Sequence, residues 1–180
     1  GERHGPAVHA LGHVINHALG AFNGTIRALQ GDGQTYGSGA DLIAAIDAGT
    51  VERLLVLGGN PAVDLPGFGD RASKVATVHL GLFRDETALA AKMHIAESHA
   101  LESWNDLQSR DGTVSIQQPL VAPLYASMSD IEVLARILGN DDSGHVLVQA
   151  THKAHQAEGF DKAWQVWLHD GVVQGHPSAA

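Results

Sequence analysis

The spacing of apolar residues along the chain predicts both helices and strands, separated by glycine-rich and polar breaks. Apolar residues recur at three- and four-residue steps from Val8 onward, which predicts a helix over Pro6 to Leu19 with proline in its first turn. Two runs rich in β-branched and aliphatic residues, Val51 to Leu57 and Val75 to Leu80, predict strands that glycine terminates. The first run ends in continuous apolar residues, which is typical of a strand buried on both faces of a parallel sheet.

The rest of the pattern predicts further elements in an alternating order. Ser38 or Asp41 can cap a helix that ends at Gly49, with three apolar residues facing inward: Leu42, Ile43 and Ile46. The other predicted helices are Phe68 to Lys74, Asp85 to Ala91, Ser129 to Leu138 (with Ile131, Leu134, Ala135 and Leu138 on one side) and Phe160 to Leu168. The other predicted strands are Met93 to Ala96 and an exposed one from Thr113 to Gln117, and the predicted loops are Gln30 to Gly39 and Leu101 to Gly112.

Helix and strand alternate from Asp41 to Ala91, which predicts an α/β fold: a parallel sheet flanked by helices, with right-handed crossovers. We expect residues 1–139 to form this domain. For residues 140–180 two alternatives stay open: a C-terminal extension of this domain or the start of the next segment. The sequence begins at Gly1, without a methionine or a secretory signal, and its last residues show no helix or strand pattern. We therefore expect it to be a piece of a longer chain.

Composition narrows the function classes. The chain has 20 acidic and 11 basic residues, a net charge of −9, which disfavours sequence-independent binding to nucleic acid. It contains no cysteine, which excludes a disulfide framework, a cysteine nucleophile and a cysteine-held iron–sulfur cluster within these residues. No apolar run is long enough for a membrane-spanning helix.

Histidine is the most frequent candidate ligand. His9, His13 and His17 lie four residues apart on one face of the first predicted helix, a spacing at which imidazoles can bind zinc or copper. No fourth ligand is evident, so a solvated or interface-facing stripe is the favoured interpretation. His94 and His99 flank Glu97, and acid–base chemistry there would need a partner and a pocket.

Two other groups have a structural interpretation. His152 and His155 lie in a polar segment and are expected at the surface. Trp104 fits either a contact to a partner subunit or a core position, and the helical spacing of Trp164 and Trp167 fits a packing face.

The sharpest motif follows the first strand. Gly58, Gly59, Asn60 and Pro61 stand where the carboxyl end of a parallel strand meets solvent, the edge at which open α/β sheets bind ligands. Glycine lets the backbone approach a ligand closely, and Asn60 can donate and accept hydrogen bonds. A tight turn without a ligand explains the same pattern.

Four segments taken together resemble a known superfamily. They are Val51 to Asp64, Asp85-Glu86-Thr87, Ser98 to Asp106 and Asp111 to Leu124. This ordered series resembles the molybdopterin oxidoreductases. Within them it is most similar to the large iron–sulfur subunit of alternative complex III, a membrane-anchored quinol-oxidising assembly of bacteria. The likeness extends from about Pro6 to Gly139.

The resemblance implies a Rossmann-like domain and a set of cofactor-binding residues. In catalytic members the glycine–asparagine–proline turn helps to hold the guanosine part of molybdopterin guanine dinucleotide. By position, the residues that match family cofactor sites are Gly58, Gly59, Asn60, Pro61, Asp85, Glu86, Thr87 and Glu102. In alternative complex III the domain is thought to have kept the fold without the pterin, with the iron–sulfur clusters elsewhere in the chain. The favoured interpretation is therefore a scaffold with no catalytic residue, no metal ligand and no cofactor of its own.

The same resemblance implies partners and a location. The partners are other subunits of a membrane-anchored respiratory complex, without direct membrane insertion by this segment and without nucleic acid. The location is the periplasmic side of the bacterial cytoplasmic membrane. The alternatives are the cofactor-binding domain of a catalytic molybdopterin-dependent oxidoreductase and a nucleotide-binding or thiamine-type domain of an unrelated enzyme.

Overall fold

The computed structural model describes residues 4–26, 36–109 and 111–173. Its strands are β1 (Arg53–Leu57), β2 (Ala76–Gly81), β3 (Met93–Ala96), β4 (Asn105–Gln108) and β5 (Val114–Gln117). Its helices are α1 (Pro6–Ala18), α2 (Gly39–Asp47), α3 (Pro61–Asp64), α4 (Phe68–Ala72), α5 (Glu86–Ala90), α6 (Asp130–Ile137), α7 (Gly144–His155) and α8 (Phe160–Asp170). A short 3-10 turn, Ala21–Asn23, follows α1.

A three-stranded parallel sheet in the order β1-β2-β3 lies in the first half of the described chain, and helices flank it. The α/β prediction is confirmed at this level. The central strand β2 is the best buried, with Thr77, His79 and Leu80 fully covered. The prediction that the first strand is buried on both faces is wrong, because no residue of β1 is fully buried and Leu57 is 43% exposed.

Local signals explain why these elements form. The Ser38 hydroxyl accepts a hydrogen bond from the Asp41 amide, and Asp41 bonds back to Ser38, so both residues cap α2. Asp85 caps α5 in the same manner by accepting from the Ala88 amide. Ile46 faces the core as predicted. The predicted loop at Gln30 to Gly39 lies mostly outside the described residues.

The second half of the described chain is an antiparallel β4–β5 hairpin covered by α7 and α8. Its core contains Val114, Ile116, Val148, Phe160, Trp164, Trp167 and Val173. Two predictions for this region are wrong. β5 is half-buried, because it packs on the helices, and β4 lies within a predicted loop.

The two halves are joined at the end of the parallel sheet. Glu97 pairs with Met128 in an isolated parallel bridge, and the Met128 amide donates to the Ala96 carbonyl at 3.0 Å. Ser98 donates its hydroxyl proton to Ser127 at 2.9 Å. Residues 99–127 thus leave the sheet and return to it at adjacent positions.

The helix predicted at Ser129 to Leu138 is present as α6, but a different face is buried. Val133 is 4% exposed, whereas Leu134 and Leu138 are 42% and 86% exposed. Ser129 and Glu132 form a capping box, and the other Glu132 oxygen accepts from the Gly144 amide at 2.9 Å. This bond joins α6 to the start of α7, and Val133 lies on the buried side of α6.

Candidate functional site

The glycine turn lies at the carboxyl edge of the parallel sheet. Gly58 and Gly59 both have left-handed backbone angles, with φ of 69° and 71°. The Gly58 amide donates to the Leu80 carbonyl at 2.8 Å, which ties the turn to the central strand. A Cβ atom built on either glycine would meet no atom within 4 Å. Glycine is therefore required at both positions by the backbone conformation and not by crowding.

Asn60 and Pro61 continue directly into a short helix. Pro61 occupies the first position of α3, where its missing N–H removes no hydrogen bond. The Asn60 carbonyl accepts from the Val63 and Asp64 amides. The sequence predicted only a stiff exit from the turn, and α3 is a helix that it did not predict.

The Asp85–Thr87 segment meets the glycine turn through Asn60. The Asn60 amide nitrogen donates to the Glu86 carboxylate at 2.7 Å. Thr87, which is fully buried, donates its hydroxyl proton to the Asn60 side-chain oxygen at 2.8 Å and accepts from the Ala62 amide at 3.0 Å. Both ends of the Asn60 side chain are thus engaged with α5. The hydrogen bond from Asn60 also lowers the pKa of Glu86.

A pair of histidines, one buried (His79) and one partly buried (His94), lies beneath this turn. His79 on β2 is opposite His94 on β3, and their Nδ1 atoms are 3.3 Å apart. Burial lowers the pKa of His79, while Asp85, whose Oδ1 lies 3.9 Å from His79 Nδ1, opposes that shift. Gly81 is required here, because a Cβ atom would lie 2.6 Å from the His79 ring. Sequence reasoning did not select His79, since a histidine in an apolar strand carries no signal of its pairing.

The Glu102 carboxylate bonds to residues 99 and 124 of the segment that follows β3. Its two carboxylate oxygens accept from the amides of His99 and Leu124, both at 3.0 Å. These hydrogen bonds lower the pKa of Glu102. The Leu101 carbonyl accepts hydrogen bonds from the amides of Leu120 and Val121, which follow β5. Together with the two bonds of Glu102, these hold residues 120–124 against residues 99–101.

The residues around Glu97 do not form an acid–base group. His94 contacts His79, and the His99 ring accepts from the Leu101 amide at 3.1 Å. Burial raises the pKa of Glu97, and the nearby Asp130 carboxylate adds to the shift. Glu97 therefore lies in a partly buried acidic environment at the end of β3.

A second polar contact lies in the aromatic core. His152 is 2% exposed, and its Nε2 lies 2.9 Å from the Asp106 carboxylate. The prediction that His152 is a surface residue is wrong, because α7 turns it inward against Trp164 and Trp167. Trp104 packs on Trp164 with ring centroids 6.2 Å apart, which is the core position among its two predicted roles.

The described residues contain no group of three or more His, Asp or Glu side chains arranged to hold a metal ion. His9, His13 and His17 are exposed on α1, and the His9 ring bonds to the His4 carbonyl. The structure therefore brings seven of the eight predicted cofactor-binding residues to one edge. There no atom lies within 4 Å of a Cβ position on either glycine, while the Asn60 side chain is already engaged by Glu86 and Thr87.

Comparison with known proteins leaves the family open: no protein-family model matches the chain, and no curated protein matches it. Within the described residues no helix has the length and apolar character to cross a membrane. The resemblance to molybdopterin oxidoreductases stays a prediction that rests on its four sequence segments.

Proposed function

We propose that this chain is a molybdopterin-oxidoreductase-like domain that acts as a scaffold in an electron-transfer subunit of a quinol-oxidising respiratory complex. The observation that carries the scaffold role is the contact between Asn60 and α5. A pterin nucleotide held by this turn would need the Asn60 side chain, and that side chain is bound to Glu86 and Thr87.

The glycines support the same role. Left-handed backbone angles alone account for Gly58 and Gly59, without a ligand pressing against them. Every member of the motif then has a structural role, since the glycines reverse the chain, Pro61 begins α3, and Asn60 fastens the turn to α5. The motif therefore has a structural explanation that does not require a cofactor.

A second candidate function is the cofactor-binding domain of a catalytic molybdopterin-dependent oxidoreductase. It is favoured by the open space beside both glycines at the carboxyl edge of the sheet, where α/β folds bind ligands. In that case rotation of the Asn60 side chain away from Glu86 would accompany binding. The pterin would supply the redox chemistry, and this domain would supply its position.

Metal and pterin content separates the two functions. The longer protein that contains this chain should be purified, and molybdenum, tungsten and iron should be measured by mass spectrometry alongside the fluorescence of released, oxidised pterin. The scaffold role predicts iron without molybdenum, tungsten or pterin. One equivalent of pterin per chain would overturn it in favour of the catalytic domain.

A matched variant sharpens the result. Asn60→Ala removes both side-chain contacts to α5, and under the scaffold role it lowers stability and leaves metal content unchanged. Under the catalytic role it also lowers the pterin content. Asn140→Ala, which alters an exposed asparagine after α6 and removes only a local bond from the Asp142 amide, is the control for losing an asparagine side chain that joins no other helix or strand.

A further inference from the structure

His79 is a buried titratable group that lies under the glycine turn. Its side chain is fully covered on the central strand β2, and within the described residues its Nε2 atom has no hydrogen-bond partner. The ring is packed toward the carboxyl edge of the sheet, since its Nε2 atom lies 2.7 Å from the Cβ position of Gly81. This nitrogen is therefore closed off from water, which would otherwise hydrate a charged ring.

Two titratable groups of the described chain face this ring. Asp85, which precedes α5, has its Oδ1 atom 3.9 Å from His79 Nδ1, and His94 on β3 has its Nδ1 atom 3.3 Å from the same nitrogen. On the other side, β1 places the apolar Val56 in register with His79. The Asp85 oxygen is shared, because it also accepts the Ala88 amide as the cap of α5. A proton on His79 therefore meets one carboxylate, and that carboxylate is already engaged.

Burial has the largest influence on this histidine and lowers its pKa in the folded chain. Asp85 and the backbone of Gly59 oppose that shift of the pKa, and His94 adds to it. When water reaches the ring, the pKa returns to its ordinary value of about 6.5. A state with a hydrated His79 therefore binds the proton more readily and gains population as the pH falls below about 6.5, whereas the closed state is favoured above that pH.

The glycine turn is the part of this cover that is held by the fewest contacts. β1 and β3 hold β2 from both sides through parallel backbone pairing. Gly58 and Gly59 have no atom within 4 Å of their Cβ positions, and the turn is attached through the Gly58 amide to Leu80 and through Asn60 to α5. Segments with few contacts open locally while the rest of a fold stays intact. Because the backbone of Gly59 acts directly on His79, lifting the turn uncovers the ring.

We propose that the glycine turn is an acid-sensitive cover over His79, closed at neutral pH and released when the ring binds a proton. This inference goes beyond the scaffold function and does not depend on whether a pterin is bound. It concerns a local opening of residues 58–64 that leaves β2 and the β4–β5 hairpin intact. Between about pH 7.5 and about pH 5.5, proton binding to the uncovered ring raises the open population by up to about tenfold.

Hydrogen exchange of the native chain measures that population. Exchange is followed by mass spectrometry at about pH 7.5 and about pH 5.5, and each rate is divided by the intrinsic rate at the same pH. We expect the protection of residues 58–64 to fall by up to about tenfold in acid, while that of the β4–β5 hairpin stays the same. Unchanged protection of residues 58–64 would overturn the proposal. An equal loss in the hairpin would also overturn it, because the whole chain would then be unfolding.

Two histidine variants assign the effect to the buried ring. His79→Gln removes the titrating group, so the protection of residues 58–64 should no longer depend on pH. His169→Gln, which removes an exposed histidine of α8, should behave like the native chain. A loss of protection in acid that survives His79→Gln would refute the role of this ring.

Asp85→Asn tests the same inference in a chain that keeps His79. Asparagine caps a helix as well as aspartate does, but it lacks the negative charge that favours the protonated ring. The loss of protection of residues 58–64 in acid should therefore be at least as large as in the native chain. A smaller loss would mean that the proton draws Asp85 toward His79 instead of releasing the turn from a ring that needs water, and would contradict the proposal.

Discussion

Thr87→Val is the most direct test of the contact that fastens the glycine turn. Valine has nearly the shape of threonine, so the change removes the hydroxyl group and leaves the packing of this fully buried side chain almost intact. Two hydrogen bonds disappear, the one to the Asn60 oxygen at 2.8 Å and the one from the Ala62 amide at 3.0 Å. The Ala62 amide and the Asn60 oxygen both lose a partner at a partly buried position.

The expected loss follows from these two bonds. A net contribution of about 1 kcal/mol for each, together with the cost of leaving the buried amide unpaired, lowers the unfolding free energy by about 2–3 kcal/mol. For a chain of this size that corresponds to a fall of about 4–12 °C in Tm. Urea unfolding followed by circular dichroism measures the difference.

Thr50→Val is the matched control. Thr50 also loses a hydrogen bond, from its hydroxyl to the Ala45 carbonyl at 2.9 Å, but it is exposed and water replaces that bond. Its loss should stay below about 0.5 kcal/mol. If Thr87→Val costs no more than this control, the turn is not held by α5 and the main support for the scaffold role is lost.

Three further predictions concern other contacts of the fold. Gly58→Ala should cost about 1–2 kcal/mol because its φ is 69°, whereas Gly12→Ala in α1 should be neutral or stabilising; equal effects in urea unfolding would contradict the left-handed turn. Burial lowers the pKa of His79 in the folded state, so the unfolded chain binds the proton more readily and stability falls as pH drops below about 6.5; His79→Gln should reduce that slope, and an unchanged slope would argue against it. Asp106→Asn should cost about 1–2 kcal/mol by weakening the contact with buried His152, and a thermal shift indistinguishable from zero would show that this contact adds nothing.

The parallel sheet could be predicted because its signals are local. An apolar run that ends in Gly58, and a second that ends in Gly81, define strands without reference to the rest of the chain. Ser38 and Asp85 mark the helix starts through bonds to residues three positions away. Each of these signals involves residues only a few positions apart, so it can be recognised without knowing the rest of the fold.

The second half was harder because its determinants are distant along the chain. β4 is polar, and it forms a strand only because β5 pairs with it and α7 packs on it. The buried position of His152 depends on Asp106 and on Trp164, neither of which is its neighbour in sequence. No pattern around His152 itself distinguishes it from a surface histidine.

The candidate site shows the same division. The glycine turn was predicted from residues 58–61, but its fastening depends on the side chain of Thr87 meeting that of Asn60 across the sheet edge. Glu102 was assigned to the same site by resemblance, and its carboxylate accepts hydrogen bonds from the amides of His99 and Leu124. The sequence of residues 58–61 therefore predicted the backbone turn, but it could not predict which side chains bond to each other.

The bridge between Glu97 and Met128 has a consequence for how this chain varies among relatives. Both ends of the excursion over residues 99–127 are fixed at neighbouring positions of one sheet, so the excursion is a closed loop in topological terms. Lengthening such a loop costs little free energy, since each doubling adds only about 0.6 kcal/mol of closure entropy. Because β4 and β5 pair and pack in the core within this span, insertions and deletions should accumulate between these two strands and in residues 118–127, while the spacing from β1 to Glu97 and from Met128 to α6 stays constant.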